Sequence, residues 1–251
     1  PWTTMGRRCP KCGFSQRKGG IGVPQSDFNR ALDGAERRLE RAAGALARTR
    51  RLLEQGDMAG TFGSAFAFSA EAEKLTLLAR TLPAYTGHPK AAELTERMLQ
   101  ETIPVEMGYA GRGWFRLQFP ALLPKKESGS PAYIQQYLYP ALRRYFEGKP
   151  PALYQRCVLA YRHVYCRDRP ERAYRDHDNI EVNMVTDIIT LYLLPDDAPT
   201  HCSHYYCSAA GPEDRTEVYV IPASRFPMWF EAEQADDLEE ETLYETSKIW
   251  R

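Results

Sequence analysis

The sequence predicts an α+β protein in which an α-helical hairpin precedes a β-α-β-α-β-β domain. Three observations carry this. Apolar or small residues recur at alternating spacings of four and three from Phe28 to Leu53 and again from Ala65 to Leu82, the period of amphipathic helices. After Pro104 the aromatic content rises and short alternating or β-branched runs appear, as strands require. Between those runs lie two longer stretches of helical period, at 131–148 and 179–194.

Residues 1–24 form a basic, turn-rich segment without either period. Cys9 and Cys12 stand two residues apart with Gly13 after them, the tight zinc-knuckle-like turn that presents two thiolates to Zn²⁺. This is half a tetrahedral site. No Cys or His lies between Cys12 and His88, so the other ligands must come from upstream residues, another chain or the cluster His201, Cys202, His204 and Cys207. On a strand Cys202 and His204 share a face while Cys207 points away, which favours ordinary packing for that cluster.

The helical hairpin spans 25–105. Ser26 is the expected N-cap, and Phe28, Leu32, Ala35, Leu39, Ala42, Leu46, Thr49 and Leu53 mark the first seam. Gly56 and Asp57 break it. Ala65, Phe68, Ala72, Leu75, Ala79 and Leu82 mark the second seam, and a shorter helix runs from Pro89 to about Thr102. The small Ala residues permit close approach of an antiparallel pair. Core packing is the expected use of both stripes, with a self-associating coiled coil as the alternative.

The α+β domain spans 106–230. WFRLQF (114–119), CVLAYRHVY (157–165), SHYYCSA (203–209) and TEVYVIP (216–222) read as strands, while PAYIQQYLYPALRRYFEG and NIEVNMVTDIITLYLL read as helices. An acidic tail, 231–251, follows. Residues 231–245 hold eight acidic and no basic side chains, whereas residues 1–55 hold twelve basic and five acidic ones. The tail is expected to solvate a surface. For the basic front a polyanion partner is the second reading.

With 43% hydrophobic residues the chain is neither collagenous, mucin-like nor wholly disordered. Lys and Arg (33) balance Asp and Glu (33), so net charge alone does not argue for nucleic acid. No stretch approaches the ~18 apolar residues of a membrane helix, and no secretory leader is legible. No membrane association and a cytoplasmic location are therefore expected, and the six cysteines favour free thiols or metal ligands over disulfides. Opening on Pro1 with Met5 close behind, the chain is expected to be processed or truncated, or to start naturally at Met5. The motifs GxxxxGK[ST], GxSxG and HExxH are missing, so no nucleotide cofactor, serine hydrolase or zincin chemistry is expected.

The densest chemical stretch is RPERAYRDHDNIEVNMVTDIITLYLLPDD, from Arg169 to Asp197. Asp176 and Asp178 stand two apart before Asn179, and Asp196 and Asp197 follow the helix. Carboxylates from a strand exit and a helix exit suit a hard cation such as Mg²⁺, which takes few protein ligands and leaves room for water and phosphate. The competing use is helix capping for the first pair and turn formation for the second.

These pieces resemble the RusA-type Holliday junction resolvases over about residues 112–222. The shared pattern is a strand, a helix, a strand, a basic stretch into Asp-x-Asp-Asn, a helix, an Asp-Asp pair and two final strands. The resemblance implies a RusA-like fold and a Mg²⁺-dependent, structure-selective DNA endonuclease working as a homodimer on branched DNA. It makes Asp176, Asp178 and Asp197 the metal ligands, with Asp196 a weaker candidate. The family's functional Lys, four residues after the second Asp, is Val182 here. Its charge must then come from Arg172, Arg175 or the pair Lys125 and Lys126, while Arg143 and Arg144 are expected at the nucleic acid. The whole chain also resembles an uncharacterised bacterial family carried on mobile elements. The alternative reading is an inactive DNA-binding or protein-interaction module of such an element.

Overall fold

A computed structural model describes residues 25–127, 129–169, 174–238 and 242–245. The knuckle with Cys9 and Cys12, and Arg172 of the basic stretch, lie outside the described residues.

Helix α1 (Gln25–Glu54) and helix α2 (Met58–Tyr85) form the expected antiparallel hairpin. Asp57 caps α2, its carboxylate accepting from Gly60 N at 2.9 Å. Phe28 stacks on Tyr85, with ring centroids 6.1 Å apart, Arg38 pairs with Glu71 at 3.1 Å, and Ser64 Oγ donates to Ala45 O at 3.0 Å. The contact face differs from the predicted seam. Ala31, Ala42 and Ser64 are buried, while Leu32, Leu39, Leu46 and Leu53 remain exposed. Small residues at the crossing bring the two backbones close, and that rotates the branched leucines out of the joint. Helix α3 (Ala91–Thr102) follows, starting later than predicted because Pro89 sits in a turn.

The rest is built on one six-stranded mixed sheet of order β4-β3-β5-β2-β1-β6. Its strands are β1 (Glu106–Ala110), β2 (Phe115–Phe119), β3 (Cys157–Cys166), β4 (Cys202–Gly211), β5 (Arg215–Pro222) and β6 (Leu243–Tyr244). Only β3 and β4 run parallel; the other pairs are antiparallel. A parallel pair needs a crossover, and helix α5 (Asn183–Leu193) lies on the connection. Helix α4 (Ser130–Tyr145) joins β2 to β3 and ends before Gly148, whose φ of +69° stops the chain from continuing as a helix.

Alternation along each strand sorts side chains to two faces. Phe115, Leu117 and Phe119 of β2, Leu159 and Tyr161 of β3, and Val218 and Val220 of β5 make one core with Ile134, Leu138 and Leu142 of α4 and Val185, Ile189 and Leu193 of α5. Trp114, Ala160, Tyr219 and Ile221 face the other way, onto Trp229 and Ala232 of helix α6 (Phe226–Gln234) and onto Leu238. The acidic stretch thus does more than solvate a surface. Leu243 pairs with Ala110, and Asp236 reaches Arg162 at 2.9 Å. The strand and helix order predicted from WFRLQF to TEVYVIP is the order observed; β1, β6 and α6 are additions to it.

Candidate functional site

The second core is bordered by charge. Glu217 is fully buried and sits among Arg162 (3.0 Å), Arg215 (2.7 Å) and Arg116 (3.5 Å), with Tyr219 Oη donating to it at 2.8 Å. Burial raises its carboxyl pKa, but Arg116, Arg162 and the two hydrogen bonds outweigh this and hold it below the usual range. Through these bonds the buried Glu217 links β2, β3 and β5.

The exposed chemistry lies where two distant loops meet on the face under α4 and α5. Lys126 N donates to Asn179 O at 3.0 Å, Glu181 N donates to Pro124 O at 2.9 Å, and Lys125 and Ile180 form an isolated bridge. Residues 124–126 and 179–181 therefore run as a short antiparallel ladder. Lys126 Nζ then reaches the Asp178 carbonyl at 2.9 Å. This ladder sets the predicted Lys125 and Lys126 against Ile180 and Asn179, next in sequence to the predicted Asp178.

The aspartates are not caps. The turn His177–Asn179 has Asp176 before it with no side-chain cap bond, and α5 opens five residues beyond Asp178. The carboxylate that serves the start of α5 is that of Glu181, which accepts from Met184 N at 3.2 Å. Asp176 and Asp178 are exposed, and among the described residues their carboxylates accept no hydrogen bond. The helix predicted to begin at Asn179 instead begins at Asn183, because residues 179–181 are used by the ladder.

The second acidic pair sits elsewhere. Asp196 and Asp197 follow the C-terminal end of α5, and a helix of eleven residues rises about 16 Å. Asp196 acts as a turn residue, its Oδ1 accepting from Asp197 N at 2.8 Å. Among the described residues no group of three or more His, Cys, Asp and Glu side chains is placed to hold a metal. Mg²⁺ fills most of its octahedron with water and substrate oxygens, so Asp176 and Asp178 are the exposed carboxylates of the loop that could hold one.

The candidate basic residues divide by surroundings. Arg175 turns inward to the Leu123 carbonyl, and burial foremost lowers its pKa. Its role is to fasten the loop, together with Tyr165 Oη, which accepts from Arg175 N at 3.1 Å. Arg143 bonds Glu96 at 2.7 Å and Arg144 bonds Gln100, so both tie α4 to α3. Lys125 and Lys126 stay exposed. Beside them, Lys125 Nζ lies 5.8 Å from the Phe66 ring, and Phe66 stacks with exposed Phe62 at 6.3 Å. Sequence reasoning passes over both rings, since neither falls on the predicted seam of the second helix; their i, i+4 spacing is the signal that pairs them. Val182 is buried in the core, where a Lys would be forced out of water.

His163 is fully buried below the loop, its ring centroid 5.8 Å from that of His177, whose Nε2 lies 2.9 Å from Ser208 Oγ. Burial first, then His177 and Arg175, push the His163 pKa down to about 4 from 6.5. The unfolded chain therefore binds more protons than the folded one between those values, and stability falls as pH drops from 6.5 toward 4. Urea unfolding at pH 5 should show this group costing about 2 kcal/mol relative to pH 7.5. In His163→Leu that part of the acid sensitivity is expected to vanish; equal pH dependence in both proteins would refute the assignment.

Cys202 and His204 share a face of β4, while Cys207 lies on the other beside Glu233, as alternation predicts. Cys157, Cys166, Cys202 and Cys207 are free thiols. No described helix is long and apolar enough to cross a membrane.

No curated protein matches the sequence. A model of a family of unknown function, DUF6100, matches residues 24–247. That span takes in the hairpin, all six strands and the paired loops carrying Lys125, Lys126, Asp176 and Asp178, so the chain belongs to this family as one continuous unit.

Proposed function

We propose that the protein is a Mg²⁺-dependent, structure-selective endonuclease acting on branched DNA, in the manner of the RusA-type resolvases it resembles. The observation that supports this reading is the ladder between residues 124–126 and 179–181, at which Lys126 Nζ meets the Asp178 carbonyl while the exposed carboxylates of Asp176 and Asp178 accept no hydrogen bond among the described residues. Asp176 and Asp178 would hold the metal. Magnesium bound there supplies polarisation of a phosphate ester and an activated water. Lys125 and Lys126 bind the flanking phosphates and supply the charge that the family's Lys, here Val182, would otherwise supply. Phe62 and Phe66 offer faces on which splayed bases stack.

A second reading, branched-DNA binding without cleavage, is favoured by the distance of Asp196 and Asp197 from the loop within one subunit. Incubation of the full chain with a labelled four-way junction in Mg²⁺, and in parallel in EDTA, separates the two. Cutting that EDTA stops supports the nuclease. Binding in both conditions without cutting supports the second reading, and neither binding nor cutting removes DNA as the partner.

A further inference from the structure

The hairpin leaves one face of α1 open, and its composition says what covers it. Leu32, Leu39, Leu46 and Leu53 are 37%, 59%, 48% and 55% exposed. They recur every seven residues, a spacing that drifts by only about 20° per repeat and keeps them in one line along the helix. That line runs roughly 32 Å from end to end. The hairpin joint itself uses Ala31, Ala42, Ala45 and Ser64.

The stripe is symmetric about a point beside Ala43. Turned end for end, Leu32 overlies Leu53 and Leu39 overlies Leu46. Glu36 and Arg50 flank the same line, both exposed, and the same rotation brings Glu36 of one copy within one residue's rise, about 1.5 Å, of Arg50 of the other. Ala43, also exposed, falls at the centre, where two helices must come closest. A parallel arrangement would instead set Glu36 on Glu36 and Arg50 on Arg50, which is repulsive. Other antiparallel registers leave leucines unpaired.

We propose that this face is a two-fold, antiparallel interface between two copies of the chain, joining the hairpins into a four-helix bundle through α1. Two-fold symmetry makes each Glu36–Arg50 pair occur twice, and the leucine line is the apolar centre such an interface needs. The proposed interface uses no residue of the loop site.

Light scattering on the full chain at micromolar concentration is expected to give the mass of a dimer. The double variant Leu39→Glu/Leu46→Glu should be monomeric at the same concentration, its dissociation constant raised at least about a hundredfold. An unchanged far-ultraviolet spectrum would show that the exposed positions leave the fold intact. Glu36→Arg or Arg50→Glu alone should weaken the dimer, and the two together in one chain should restore it. Glu36→Cys mixed with Arg50→Cys should form a heterologous disulfide in preference to either homologous one. A monomeric native chain, a dimer indifferent to the leucine variant, or preferential linkage of the Glu36→Cys chains to one another in that mixture would each overturn the proposal.

Discussion

Asp178→Asn is expected to reduce metal-dependent cleavage of a four-way junction by at least about a hundredfold. In the fold Asp178 bonds through its main chain. Its carbonyl accepts from Lys126 Nζ, but its carboxylate accepts no hydrogen bond among the described residues and stands in solvent. An isosteric amide therefore changes ligand charge and little else. Unfolding free energy should move by no more than about 0.5 kcal/mol, as for other surface positions away from structural contacts. Lys126→Ala tests the other half of the pair. It should weaken DNA binding, and with Lys125→Ala it should lower the slope of log affinity against log salt by roughly two. Undiminished cutting by Asp178→Asn would sink the metal assignment. An unchanged salt slope in the double lysine variant would remove the phosphate role.

Glu217→Ala should destabilise the protein by about 3–5 kcal/mol, the range for stripping one partner from a buried ion pair. Glu217 is the shared counter-charge of Arg116, Arg162 and Arg215, and none of those three is well solvated. Removing it leaves like charges facing each other in the interior and strands the Tyr219 hydroxyl as well. Arg162→Met should cost less, because Glu217 keeps Arg116, Arg215 and Tyr219. The ordering is the test: urea unfolding in which Arg162→Met costs as much as Glu217→Ala would show that the carboxylate is not the hub. The acid response follows from the same geometry. Glu217 titrates lower in the folded state than its ordinary 4.5, so its contribution is complete above that value and is lost as pH falls through the folded-state pKa. Glu217→Gln removes that contribution at all pH values and should flatten the stability profile on the acid side.

Local pattern reached some parts of this molecule and not others. Strands β2, β3, β4 and β5 were legible because alternation and β-branching are properties of five to ten consecutive residues. The opposition of Cys202 and His204 to Cys207 followed from the same two-residue period. Strand β1 was not legible. Its Gly108 weakens the pattern, and the reason for that glycine lies in another segment: a Cβ there would meet Leu243 Cβ at 2.8 Å. Strand β6 has two residues inside an acidic stretch, too few to carry a period, and it exists because Leu243 and Tyr244 find the free edge of β1.

The aspartate motif was legible, as were Lys125 and Lys126 as candidates, but their meeting was not. The hydrogen bond from Lys126 Nζ to the Asp178 carbonyl spans 52 positions of the chain, and backbone pairing between such distant segments leaves no periodic trace in either. The same holds for the exclusion of Arg175, whose side chain is claimed by a carbonyl at position 123. In α1 the heptad spacing established that an apolar line exists. Only the packing of α2 against Ala31 and Ala42 decided that the leucines of that line face outward, because periodicity fixes which residues share a face and the partner helix fixes which face is covered.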